Sequence, residues 1–295
     1  MGKAIFLNFP THGCINSLLG TVAELVSRGQ KIIYYCTEEF RNKIEQTGAE
    51  FRPYKGVINT FKIENDDLSK ALELNVEMTV DKLAHNLEDI RNEYPDYLVH
   101  DSLCTWGKQI AAILGYPSVN LMHSFPITKS SITFSKQTAL LLPKVGFYKI
   151  KNRLKTNSSQ KILKQKYNIN LSLADTMINR ENLNIVYTSK HIAPDSFQSK
   201  KDFVFVGPSL FFKKESSDFP YDRLAGKKVV YISLGTLHND NSTFYDMCIR
   251  AFSGGDYIVV LSIGFQIDPN QFCDCPDNFI IRKRILNPIF KIVQP

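Results

Sequence analysis

The 295-residue chain has no apolar run approaching the roughly 18 residues that a membrane-spanning helix needs. Its first ten residues, MGKAIFLNFP, hold one Lys and a short apolar run that breaks at Pro10. That run is too short for the core of a signal peptide and lacks a small-residue cleavage site. These absences predict a cytoplasmic protein. Cysteine is sparse and scattered, at positions 14, 36, 104, 248, 273 and 275, which suits reduced thiols rather than a disulfide framework. Cys273 and Cys275 lie close together but have no second ligand pair, so no metal site is expected. No GxGxxG follows the first apolar run, and GxxxxGK[ST], HExxH and GxSxG do not occur. Dinucleotide-binding, P-loop, zinc-protease and nucleophile-elbow readings therefore lose their main signatures.

What is present is an ordinary globular composition, 43% hydrophobic and 22% charged, which excludes disorder and coiled coil as the main content. The length suggests two domains. The net charge of +7 has one local source: residues 144–167 carry Lys and Arg but no Asp or Glu. The plain reading is a solvated helical face, and the sharper one is an anionic partner. No regular Arg/aromatic pattern accompanies the basic residues, so nucleic acid is not expected as a partner.

The first third of the chain alternates strand and helix. KAIFLN (3–8) is a buried strand, and residues 17–28 form a helix closed by Gly29. KIIYYC (31–36) is a second strand, Thr37 is the N-cap candidate of a helix running to Gly48, and residues 50–54 form a third strand. A long helix over 67–94 stops at Pro95. A strand at 96–100, a helix at 104–114 closed by Gly115 and a strand at 117–121 continue the rhythm. Residues 125–180 are less regular, and short strands follow at 183–188 and 203–206. Such an order predicts an α/β fold with a doubly wound, Rossmann-like parallel sheet. A segment mixing Pro, Ser, Gly and charge over 208–227 reads as a linker between a first domain (1–207) and an incomplete second Rossmann-like domain (228–295), which opens with VVYIS.

Ligands of doubly wound sheets bind beyond the carboxyl ends of the strands. Three loops meet that condition here: FPTHGCIN (9–16), His100–Asp101–Ser102, and Ser233–Leu234–Gly235–Thr236.

The segment FPTHGCINSLLGTVAELVSRGQKIIYY resembles the opening of GT-B glycosyltransferases of the macrolide and UDP-glycosyltransferase type, in which it reads Pro-x-His-Gly-His-x-Asn-Pro before a helix ending in Arg-Gly. The likeness returns in YLVHDSLCTWGKQIAAILGYPSV, in FVFVGPSL and in VVYISLGT. It implies a GT-B-like fold and transfer of a hexose from a UDP-sugar to a hydroxyl of a small hydrophobic acceptor, macrolide or flavonoid, with inversion and without a metal or other cofactor. The acceptor site would belong to the first domain and the donor site to the second.

In the resembled family the His after that Gly is the general base, and an Asp at a later strand end holds its imidazole. Asp101 falls on the Asp position; its plain alternative is a cap for the helix that follows. The His position is taken by Cys14, and a thiol of ordinary pKa near 8.5 is a poor base at neutral pH. The alternatives are a Cys14 thiol activated by the following helix N-terminus or His12 acting as a substitute base, although a loop His is more often only a hydrogen-bonding residue. His100, next to Asp101, should face the other side of its strand. Asp101 is then expected to lack an imidazole and to take Ser102 or a loop N–H as its donor. Phe125, Phe134, Phe147 and Trp106 are candidates for an acceptor pocket, with ordinary core as the alternative. Ser233, Gly235 and Thr236 match the turn that approaches the donor diphosphate. A His-x-Gly-Gly segment and an acidic residue followed by Gln, which hold phosphate and sugar in the family, do not occur after that turn. Together with Cys14, this predicts an impaired or silent transferase, with a non-catalytic small-molecule-binding protein as the alternative. The incomplete second domain is expected to self-associate.

Overall fold

The computed structural model describes residues 2–57, 68–123, 158–171, 173–193, 195–209, 211, 219–235, 239–272, 274–283 and 285. The chain divides into two compact units, Met1–Phe211 and Phe212–Pro295.

Among the described residues of the first unit, seven parallel strands form one sheet: β1 (Lys3–Leu7), β2 (Lys31–Cys36), β3 (Glu50–Pro53), β4 (Tyr97–Asp101), β5 (Ser118–Met122), β6 (Asn184–Val186) and β7 (Phe203–Phe205). Their order is β3-β2-β1-β4-β5-β6-β7, so the chain works outward from β1 in one direction and then crosses to β4 to build the other half. The helices are α1 (His12–Ser27), α2 (Arg41–Glu45), α3 (Leu68–Asn92), α4 (Thr105–Leu114), α5 (158–167), α6 (Leu173–Ile178) and α7 (Asp195–Gln198). The fold is α/β, a doubly wound parallel sheet.

The near-continuous apolar strands follow from burial on both faces, which alternate residue by residue. Ile5, Leu7, Ile33, Tyr35 and Leu98 pack with Met78, Leu83, Leu87 and Ile90 of α3 and with Trp106 and Ile110 of α4. Ala4, Phe6, Ile32, Tyr34, Cys36 and Val99 pack with Ile15, Leu18, Leu19 and Val22 of α1 and with Ile44 of α2. Each such large side chain contributes about 1.5–3 kcal/mol when fully buried, before conformational entropy is counted.

Two glycines are required by geometry. Gly115 closes α4 in the left-handed region, at φ +75. Gly107, inside α4, faces β4, where a Cβ would lie 2.5 Å from that of His100.

α1 begins at His12, not near residue 17. Pro10 lies before the N-cap residue, Thr11, and the space beside the Gly13 Cα is open, so neither residue interrupts the first turn. Cys14 therefore belongs to a helix and not to a loop.

The second unit holds a parallel sheet of order β10-β9-β8, made of β8 (Val229–Ser233), β9 (Ile258–Ser262) and β10 (Phe279–Arg282), with α8 (Ser242–Phe252) between β8 and β9. Tyr245, Val259, Leu261 and Phe279 lie in its main cluster. Among the described residues no helix is long and apolar enough to cross a membrane.

Candidate active site

Three strand ends meet at the carboxyl edge of the first sheet. Leu7 of β1 stands opposite His100 of β4, which brings the next residue, Asn8, beside Asp101. Asp101 in turn stands opposite Leu121 of β5, so His123, two residues on, keeps the same face. The first turn of α1 adds Cys14. The ligand-capable atoms of Cys14, Asp101 and His123 all lie within 4.8 Å of one another.

Asp101 is wholly buried. Its Oδ2 accepts from Asn8 Nδ2 at 2.9 Å and from the Phe9 N–H at 2.6 Å. Its Oδ1 accepts from the N–H groups of Leu103 at 2.7 Å and Cys104 at 2.9 Å. The latter pair makes a turn ahead of α4, so the carboxylate serves a local structural role as well as facing the site. Burial raises its pKa, opposed by the charge of His123 and by the N–H groups of Phe9 and Leu103. Four donors fill about four lone-pair positions, which leaves Asp101 poorly suited to ligate a metal although it forms a trio with Cys14 and His123.

Cys14 is buried. Its Sγ receives the Thr11 hydroxyl at 3.0 Å and lies 3.3 Å from His123 Nε2. Burial, and then the Asp101 charge, push the thiol well above its ordinary pKa. A raised pKa favours the neutral S–H form and runs against activation of the thiol by the helix N-terminus. The expectation that Asp101 lacks an imidazole is likewise corrected, because His123 supplies one. Sequence reasoning missed His123. The available signal was strand parity: His123 shares the face of Val119 and Leu121, one residue beyond β5.

The other histidines face elsewhere. His12 Nδ1 lies 3.5 Å from Lys43 Nζ, and its ring meets Phe40 edge-on at 5.0 Å, toward the chain around α2. His100 occupies the opposite face from Asp101. Its Nε2 lies 3.1 Å from Glu181 Oε1 and its Nδ1 lies 3.1 Å from Asn179 Nδ2.

Trp106 has no exposed surface. It packs against Phe9, and its Nε1 donates to the Tyr54 hydroxyl at 3.1 Å. This corrects its assignment as a pocket wall: helical periodicity turns it into the core between α4 and the sheet. Phe125, Phe134 and Phe147 lie outside the described residues, as does Thr236. Ser233 and Gly235 are exposed at the carboxyl end of β8. The Gly235 N–H donates to Ser233 Oγ at 3.2 Å, and Gly235 takes φ +81.

No family model matches the chain. It is 30% identical over 293 residues to YojK, an uncharacterised UDP-glucosyltransferase of Bacillus subtilis, covering 96% of this chain and 71% of that protein. It is 24% identical over 274 residues to the oleandomycin glycosyltransferase of Streptomyces antibioticus, covering 90% of this chain and 62% of that protein. Among solved structures, the calicheamicin glycosyltransferase CalG4 aligns with a TM-score of 0.71 at 25% identity, over 97% of this chain and 71% of that one.

Proposed function

Because the chain belongs to the UDP-glycosyltransferase family and shares the fold of a GT-B glycosyltransferase, we propose that it transfers a hexose from a UDP-sugar to a hydroxyl of a small hydrophobic acceptor, of macrolide or flavonoid type, with inversion. The observation that carries this reading is the placement of Asp101. A wholly buried carboxylate is costly unless it is hydrogen-bonded, and this one is held by four donors beside an imidazole at the carboxyl edge of the central strands. A fixed negative charge at that point favours a cationic imidazole, the state reached when a hydroxyl gives up its proton.

In the reaction the acceptor oxygen attacks the anomeric carbon from the side opposite the diphosphate. The new C–O bond forms as the bond to UDP breaks, the electron pair leaves on the diphosphate, and the hydroxyl proton passes to a base of the site. The exposed Ser233, whose Oγ accepts from the Gly235 N–H, has a hydroxyl left to donate to that diphosphate. No metal takes part in this reading, in keeping with the filled lone pairs of Asp101.

The second reading, a non-catalytic small-molecule-binding protein, is favoured by the neutral thiol of Cys14 where the resembled family has histidine. Calorimetric titration with UDP and with a hydrophobic phenol, together with UDP release from UDP-glucose, separates the two. Binding of both ligands is expected, with UDP release that is slow, as the Cys14 replacement implies, and that Asp101→Ala abolishes. Phenol binding without UDP release would leave only the binding protein, and binding of neither would end both readings.

A further inference from the structure

We infer that His123 is the general base of the site, taking the acceptor proton on Nδ1 while Cys14 holds its Nε2. The inference rests on the transferase reading and adds to it the residue that moves the proton.

Four groups compete for the role. Cys14 is a buried thiol whose Sγ lies beside Asp101 and already receives the Thr11 hydroxyl at 3.0 Å. His12 points toward the chain around α2, with Nδ1 3.5 Å from Lys43 Nζ and its ring edge-on to Phe40. His100 is engaged on the opposite face of the sheet with Glu181 and Asn179. His123 alone of the four brings an imidazole into the Asp101 cluster.

The ring is held at one end. Nε2 lies 3.3 Å from Cys14 Sγ, and the proposed base is the tautomer in which Nε2–H donates to sulfur and the lone pair sits on Nδ1. Nδ1 is buried and has no hydrogen-bond partner among the described residues. An orphaned buried nitrogen is unfavourable and calls for an explanation. An acceptor hydroxyl donating to it provides one. As the acceptor C–O bond forms and the sugar–diphosphate bond breaks, the hydroxyl proton moves to Nδ1, and the nearby Asp101 carboxylate stabilises the imidazolium. Asp101 and an imidazole thus meet although the residue in the α1 turn is cysteine: the ring comes from the end of β5.

4-Nitrophenol tests the assignment, because its ionised form absorbs visible light and its neutral form does not. Added below its own pKa to the unsubstituted protein, it should bind and show the phenolate band. His123→Gln should bind it without that band and lose UDP release by about 10²- to 10⁴-fold. Binding without a band in the unsubstituted protein, or a band that survives His123→Gln, would overturn His123 as the base and leave the transferase reading intact. Failure of the unsubstituted protein to bind any phenol would remove that reading as well. Should His123→Gln not fold, the ¹⁵N imidazole signals of the unsubstituted protein decide: His123 must become imidazolium when 4-nitrophenol binds, and a ring that stays neutral refutes the assignment.

Discussion

Asp101 and Leu121 stand opposite each other in the parallel register of β4 and β5, and His123 follows Leu121 by two residues. One residue of slippage in that register would turn His123 or Asp101 to the face occupied by α3 and α4. The site therefore depends on strand pairing as much as on its own side chains.

Replacing Asp101 by Asn keeps the shape of the side chain and removes its charge. An imidazolium formed during transfer would lose its counter-charge, while the acceptor would keep its apolar contacts. UDP release should fall by roughly 10²-fold or more with little change in acceptor affinity. Steady-state kinetics beside calorimetric acceptor binding checks this. Affinity falling in parallel with rate would assign Asp101 to binding instead.

Cys14 should resist alkylation in the native protein. Its burial and the Asp101 charge keep it as a neutral thiol, whereas Cys275 is only partly buried. Iodoacetamide labelling at neutral pH followed by peptide mapping should find Cys275 modified well before Cys14. Fast labelling of Cys14 would mean that it is an accessible thiolate.

Introducing the histidine of the resembled family, Cys14→His, should harm rather than help. The thiol is buried, and its sulfur already lies 3.3 Å from His123 Nε2. A larger ring there overpacks the site, at a cost of about 1–3 kcal/mol. Thermal melts of both proteins at neutral pH test this, and an unchanged or raised Tm would contradict the packing described.

The doubly wound order was legible in the sequence because the strands buried on both faces are short apolar runs separated by helices that carry their own stop signals. Asp101 was legible as well, at the end of a strand and ahead of a helix. The start of α1 was not: Pro10 and Gly13 suggest a turn, and only the open space beside Gly13 shows that a helix tolerates it. His123 was missed because it lies just past β5, where the periodic pattern stops. Its partner Cys14 is 109 residues away in sequence, so no local spacing links the two. Trp106 was ambiguous because an aromatic in the first turn of a helix suits a core and a pocket equally. Only the Tyr54 hydroxyl beneath it decides for the core.

On the other face of the sheet, His100 and Glu181 should shape the acid stability of the protein. Burial draws the Glu181 carboxyl upward, but the hydrogen bond and charge of His100, with smaller help from Ser118 and Lys108, together hold its pKa below the ordinary 4.5. A carboxyl whose pKa is depressed by folding adds stability above its unfolded value and loses that contribution as pH falls through the folded one. Denaturant unfolding across the acid range should therefore show a steeper loss below about pH 4.5 in the unsubstituted protein than in Glu181→Gln. Parallel acid limbs would show that the pair adds nothing.

Gly107→Ala tests how tightly α4 sits on β4. The added methyl would lie 2.5 Å from the His100 Cβ, closer than such atoms approach, and 3.1 Å from Cys104 Sγ, a tight contact. The His100 Cβ is fixed to a central strand and cannot swing aside, so the helix must lift. Ala is otherwise the better helix former by about 1 kcal/mol, which partly offsets the clash. Overpacking costs typically about 1–3 kcal/mol and should prevail. Lifting α4 would also draw the Leu103 and Cys104 N–H groups away from Asp101, so the loss of stability should come with a loss of UDP release. Denaturant unfolding and UDP release measured on the same preparation check both effects. A stabilised and fully active Gly107→Ala protein would show that α4 is not seated as described.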